Sequence, residues 1–292
     1  LAAATQHHGV CTTTIALIAA KATADELLGL LKLPTPMSAL ALTSHFVRRE
    51  IRNRYLGSFS GGLWALIQPL IQLAVYGFVW KYVFRMSTPG GADGPGIVAF
   101  LAMGVWPWNA FSESLVRATT AMQDNAALIG KIALPREILV LSSVASSFLL
   151  HALGFCVILI VFWASGTPIR LLGLPQAAIA FVQLFVLALG LALLFSAIQV
   201  FVRDLGQTLT QLMPLWMFAG PVLYPRDYLP ERFRPWLDLN PFTFYPEYLR
   251  EALLGYGSTG TPWLVAMIVA LAVLALGYTV FRRLSAHFED FL

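Results

Sequence analysis

Six apolar stretches, 61–80, 97–115, 138–164, 177–202, 209–224 and 263–281, constrain this chain more than any motif it carries. Crossing a bilayer takes roughly 20 mostly apolar residues in a helix, which satisfies its own backbone where no water can. The composition agrees: 58% of the 292 residues are apolar and 12% charged, whereas soluble chains carry about a quarter charged. That content excludes disorder and exceeds what one soluble core can hide. The expected fold class is all-α, a polytopic membrane protein with six transmembrane helices. The fifth stretch is the shortest and holds Pro214, Gly220 and Pro221. It is expected to be bent or broken, with protein around it.

Six crossings put both ends on one side, and the basic residues choose which. Arg48, Arg49, Arg52, Arg54, Arg117, Lys131, Arg136, Arg203, Arg282 and Arg283 fall on one side. Lys81, Arg85, Arg170, Arg226, Arg232, Arg234 and Arg250 fall on the other, ten against seven. The dense cluster precedes the first span, so both termini are expected in the cytoplasm. Trp80, Tyr82, Trp106, Trp108, Trp163, Tyr224 and Trp263 read mostly as interface anchors. Trp64, Tyr76 and Phe111 are candidates for a pore wall as well, and sequence alone does not choose. Residues 1–36 are Ala/Thr-rich, begin at Leu1 and lack the basic start of a signal peptide. They read as a start-site artefact or a dispensable extension, with a short helix over 22–32 as the alternative. The expected organisation is then a 37–60 interface-helix region, a 61–283 transmembrane domain and a 284–292 cytoplasmic tail.

What the spans lack narrows the function. Ion-coupled transport needs ionisable groups inside the spans. Here Glu113 and Arg117 fall at the end of the second, and His151 stands alone deep in the third. A lone histidine on an apolar helix reads as packed and hydrogen-bonded rather than as a proton relay. No charged ring or carbonyl filter suggests an ion channel. No phosphate-binding loop occurs, since Gly130-Lys131 is followed by Ile132. Neither metal-ligand spacing nor a nucleophile elbow is found, and Cys11 and Cys156 make no disulfide framework. No catalytic residue and no metal site are expected. Asp227, Glu231, Asp238, Glu247 and Glu251 read mostly as solvated surface.

Three segments look built for work. The stretch 44–56, SHFVRREIRNRYL, places Val47, Ile51 and Tyr55 on one helical stripe with Arg48, Arg49, Arg52 and Arg54 on the other side. Such a basic amphipathic helix lies in the cytoplasmic interface, as a plain anchor, a contact surface for a soluble partner, or both. Glu50 and Arg54 form an i, i+4 pair. The loop 117–135, RATTAMQDNAALIGKIALP, is long for a turn. Asp124 or Asn125 can cap a short helix from Ala126 with Leu128, Ile129 and Ile132 as its apolar side, limited by Gly130 and Pro135. It suits a lever between a soluble motor and two spans, or a helix resting on lipid. The stretch 225–257 is aromatic, punctuated by five prolines and fits two short helices over about 230–239 and 246–254, a lid over a pore exit or an ordinary loop.

At these places the chain resembles the permease subunit of ABC type-2 transporters that export polysaccharides, among them the O-antigen, capsule and teichoic-acid exporters of bacteria. The matching pieces are FVRREIRNRYLGSFSGGLWALIQPL (46–70), ALIGKIALPREILVL (127–141), VRDLGQTLTQLMPLWMFAGPVLYP (202–225) and LNPFTFYPEYLREALL (239–254). The resemblance implies a homodimer in the bacterial inner membrane with two copies of a separate nucleotide-binding ATPase docked below. This chain would carry no cofactor; ATP and Mg would be bound by the partner ATPase. The segment 44–56 matches the interface helix, and Arg48, Arg49, Arg52 and Arg54 are placed to meet a diphosphate head. The region with Asp124, Asn125, Leu128, Ile129, Lys131, Pro135 and Arg136 matches the coupling helix that seats in the ATPase. The region with Trp236, Asn240, Pro241, Tyr245 and Tyr248 matches short periplasmic gate helices. The implied channel lies at the dimer interface, partly lined by aromatics, and its cargo is a lipid-linked polysaccharide, O-antigen type first. Membrane lipids are the remaining partner; nucleic acid is not one. The alternatives are a type-2 efflux permease for small hydrophobic compounds and a membrane glycan-processing enzyme.

Overall fold

Each of the six apolar stretches is helical over most of its described residues, and the loops between them supply the short elements. The computed structural model describes residues 39–54, 63–86, 96–129, 134–257, 262–288 and 291. Lys131, the 1–36 extension and the 55–62 connection lie outside the described residues. The chain divides into two units, Leu1–Leu42 and Thr43–Leu292, and apart from residues 39–42 at the start of the first helix the helices belong to the second. In order they are α1 (Ala39–Arg54), α2 (Trp64–Phe78), α3 (Ile97–Asp124), α4 (Ala126–Ile129), α5 (Glu137–Ala164), α6 (Leu174–Phe201), α7 (Leu205–Ala219), α8 (Arg234–Leu239), α9 (Phe244–Leu254) and α10 (Trp263–Ser285). One π-helical turn, Val79–Val83, continues α2. No strand occurs among the described residues.

Among the described residues three helices are long and apolar enough to cross a membrane: α5, the stretch Leu171–Phe201 that contains α6, and α10. The other three stretches depart from that standard for visible reasons. α3 has 28 residues, but Asn109, Ser112, Glu113 and Arg117 dilute its apolarity. α7 has 15 residues, short of the roughly 20 a crossing needs; α2 also has 15 and reaches that length only with the π-helical turn that continues it. α7 runs on through Pro214, and the expected break falls instead at Gly220–Pro221.

α3 is the centre of the bundle. It packs against α2, α5, α6, α7 and α9, and Phe100 to Trp108 are almost wholly buried. α6 is apolar all round, as a helix with neighbours on several sides must be; it packs on α3, α5, α9 and α10. Its closest partner, α10, crosses it at Gly190 and Gly277. A Cβ on Gly277 would sit 2.0 Å from the Gly190 carbonyl oxygen, so the two backbones touch where only glycine fits.

Polar ties fasten the two ends of the bundle. At the end bearing α1 and α4, called the base here, the Gln199 amide donates to Gln123 Oε1 at 3.0 Å and accepts from the Gly206 amide at 2.7 Å. Those bonds join α3, α6 and the start of α7. Arg136 donates to the Ser285 carbonyl and Arg282 to Glu137 at 3.0 Å, which joins α5 to α10. At the opposite end Arg250 of α9, 2% exposed, donates to the carbonyl oxygens of Phe100, Pro221 and Val222 and lies over the Phe100 ring. Gly104 makes room for this contact: a Cβ there would meet Val222 O at 2.2 Å. Each carbonyl left buried without a donor would cost about 1–3 kcal/mol, so Arg250 pins the non-helical exit of α7 to the core.

Candidate functional site

A cavity of about 1060 Å3 lies among the end of α1 and the walls of α2, α3, α5 and α7. Its lining mixes aromatic faces with amides. Trp64 and Tyr76 of α2 and Trp108 of α3 supply rings; Gln68, Gln72 and Asn109 supply hydrogen-bonding groups. Asn109 donates to Gln72 at 2.8 Å and Gln72 to the Tyr76 hydroxyl at 3.2 Å, so part of this polarity forms a ladder between α2 and α3.

Phe111, one of the three rings singled out in the sequence, has no exposed surface in this chain. It belongs instead to a four-ring cluster with Trp108, Trp216 and Phe242, at centroid distances between 4.9 and 6.1 Å. Edge-to-face pairs of this kind add about 0.5–1.5 kcal/mol each beyond area burial. Asn240 organises the cluster. Its Oδ1 accepts from Trp216 Nε1 and from the Phe242 amide, each at 3.0 Å. One residue of the α8–α9 connection thereby fixes the rings packed behind Trp108, the member of the cluster that lines the cavity. Of the other residues on these short helices, Trp236 is largely exposed, Tyr245 is buried, and Tyr248 stacks on Phe244 at 4.9 Å. The two helices fall close to the expected places, at Arg234–Leu239 and Phe244–Leu254, with Pro241 between them.

Glu247 of α9 departs from the solvated reading of the acidic residues. Burial pushes its carboxyl up to about 7, against the opposing pull of Arg226 and Arg250. Arg226 sits 3.8 Å from Glu247 and holds both Asp238 oxygens at 2.7 and 2.8 Å, which ties α9 to α8.

The base of the cavity holds what the sequence did not disclose. His151 is not alone: its Nε2 lies 2.8 Å from Glu113 Oε2. A carboxylate only accepts, so His151 presents Nε2–H to it. Arg117 Nε donates to Glu113 Oε1 at 2.8 Å, and Arg54 pairs with the same oxygen. Three helices, α1, α3 and α5, meet at one carboxylate. All four side chains line the cavity.

The four arginines of α1 divide by direction. Arg48 and Arg52 are exposed. Arg49 lies over the Phe46 ring and donates to Asn125 Oδ1, while Arg54 reaches Glu113. Asn125 therefore does not cap α4 with its side chain. Its Oδ1 accepts from Arg49, its Nδ2 donates to Ala121 O at 2.9 Å, and its carbonyl starts the four-residue helix Ala126–Ile129. Asp124 accepts from Thr120 at 2.9 Å. Leu128 is half-buried and Ile129 buried; Pro135 is exposed, and Arg136 lies near the Phe288 ring. Among the described residues no group of His, Cys, Asp and Glu is placed to hold a metal ion.

The profile of the ABC-2 type transporter family matches residues 42–254, from α1 through α9. The chain belongs to this family. Among its relatives is an O-antigen export system permease protein of Klebsiella pneumoniae, 26% identical over 84% of this chain and 92% of its own. A polysialic acid transport protein of Escherichia coli is 23% identical over 80% and 90%. A capsule polysaccharide export inner-membrane protein of Neisseria meningitidis is 24% identical over 82% and 90%. An ABC-2 permease with helices this apolar is embedded in a membrane.

Proposed function

We propose that this ABC-2 permease exports a lipid-linked polysaccharide, O-antigen type first, across the bacterial inner membrane. It would act as a homodimer of six-span subunits with both termini in the cytoplasm. A separate ATPase subunit, which binds ATP and Mg, would drive it. The observation that carries this reading is the cavity, where ring faces alternate with amides. Sugars offer apolar ring faces and a surround of hydroxyls, and such a wall meets both. The named relatives support the substrate class.

The mechanism is mechanical, and no covalent step falls to this chain. The turn at Asn125–Arg136 would take the push of the ATPase. Arg49 passes movement of that turn to α1, and Arg54 passes it on to the cavity wall. The test is deletion of the gene, with surface and internal glycan compared by gel and antibody. Loss of surface polymer with lipid-linked polymer held inside is the expected result; unchanged glycan in both places rejects the reading. A Lys131→Glu and Arg136→Glu double variant is expected to hydrolyse ATP without exporting. Normal surface glycan in it would sink the coupling role of that turn.

A further inference from the structure

Glu113 stands where a ligand anion would stand. Its two oxygens take Arg54, Arg117 and His151 as partners, and all four groups border the open cavity. Among the described residues the charged side chains in the lining are Arg54, Arg117 and Glu113, two formal cations and one anion, so these three leave one net positive charge. A neutral glycan does not require that charge. Two guanidinium groups converging from different helices are the donor set that planar, bidentate phosphate recognition uses. Burial does not confine Arg117 to Glu113, since 39% of the Arg117 side chain and 29% of the Glu113 side chain remain exposed; Arg54 is more enclosed, at 11%, and still borders the cavity.

We propose that Arg54 and Arg117 form a phosphate-binding subsite at the base of the cavity, with Glu113 as a resident counter-ion that an incoming phosphate or diphosphate displaces. The exchange keeps both guanidinium groups paired throughout, so neither is left bare in a low-dielectric wall. Glu113 retains His151 Nε2–H when the arginines leave it. The exchange also has a route outward. Arg54 and Arg49 lie on one helix, and Arg49 holds Asn125 beside the turn at the base. A head group that draws Arg54 off Glu113 shifts the helix that holds Asn125. The subsite rests on the export reading only for the lipid carried by the phosphate.

The test is calorimetric titration of the full-length chain in zwitterionic lipid nanodiscs. The probes are a short-chain polyprenyl diphosphate, its parent alcohol and inorganic diphosphate. The diphosphate lipid is expected to bind the wild type and the alcohol to bind at least about tenfold more weakly, since the charge-assisted bonds are lost. Glu113→Gln removes a competing negative charge at hydrogen-bond distance, so it should tighten binding by about tenfold. Arg117→Gln should weaken it by about tenfold and Arg117→Lys by less, because a lysine keeps the charge and loses the fork. Inorganic diphosphate that competes assigns the site to the anion itself; failure to compete assigns it to the anion with its lipid. Equal affinity for the alcohol, or unchanged affinity in Glu113→Gln, overturns the subsite. Should Arg117→Gln not fold, the Glu113→Gln and Arg117→Lys comparisons decide alone. A chain that exports glycan yet fails these titrations loses the subsite and keeps the permease reading. One that passes them while its deletion leaves surface glycan intact keeps the subsite and loses the export reading.

Discussion

Single residues carry much of what joins the helices in this permease, and Glu247 offers a direct test of how tightly one of them is enclosed. Its carboxyl is pushed up to about 7 by burial, while Arg226 and Arg250 pull the other way. The folded chain therefore holds a proton on Glu247 at pH values where the unfolded chain has lost it. Stability from this group is fully present below its ordinary value of 4.5 and is lost as pH rises through about 7. The apparent Tm of the purified permease should fall between pH 5 and pH 8, and Glu247→Gln should flatten part of that slope. The effect is bounded at roughly 3 kcal/mol, since a tenfold change in proton affinity is worth about 1.4 kcal/mol. An unchanged slope in Glu247→Gln would place the carboxyl in water. The residue was visible in the sequence as one acid among five in a proline-rich loop. Its enclosure was not, because it comes from the packing of α9 on α3 and α6, which the pattern of the loop does not reveal.

Among the elements, α1 has the most unusual position, since two of its residues five apart reach two different parts of the molecule. Arg49 holds Asn125 at the base and Arg54 holds Glu113 in the cavity. If α1 transmits force, Arg49→Ala and Asn125→Ala each cut export by about tenfold, as loss of a charge-assisted bond implies. The double variant then adds little more, because both changes break one contact. ATP hydrolysis by the assembled complex should persist in all three. Additive losses would mean that the two residues act separately. The amphipathic pattern of 44–56 made α1 legible, as apolar runs did for α5, α6 and α10. Direction was harder: at about 100° per residue Arg48, Arg49 and Arg52 share one side while Arg54 stands roughly 120–160° from them, and only the contacts with Asn125 and Glu113 mark Arg49 and Arg54 as the inward pair. The cluster at Glu113 was illegible for a related reason. Residues 54, 113, 117 and 151 belong to three helices, and periodicity within one helix says nothing of which turns of different helices share a level. Asn125 was legible as a cap and is not one, because its side chain is spent on Arg49 and Ala121.

At the scale of the whole molecule, the packing suggests which wall of the cavity moves. α3, α5 and α6 pack on one another, α10 packs on α6, and Gln199, Arg136 and Arg282 tie them at the base. α2 is different. It leans chiefly on α3, touches α5 slightly, and leaves Leu70, Ile71, Val75 and Phe78 exposed. A polymer passing through the cavity needs one side to yield, and the loosely packed walls yield at least cost: α2, which rests on α3 and α5, and α7, which rests on α3 and α6. A crosslink of α2 to α3 tests the first of them. Locking α2 to α3 should therefore stop export. Gly77 and Val98 are suited to the lock: a Cβ on Gly77 would lie 3.1 Å from Val98 Cγ2, which brings the two Cβ atoms near the roughly 3.5–4.5 Å that a disulfide spans. A Gly77→Cys and Val98→Cys pair, made with Cys11 and Cys156 replaced by serine, should export when reduced and stall when oxidised. ATP hydrolysis should continue in both states, because the tie lies far from the base. Export that survives complete oxidation would show that α2 and α3 travel together, and the moving surface would then lie between α7 and the rest of the bundle.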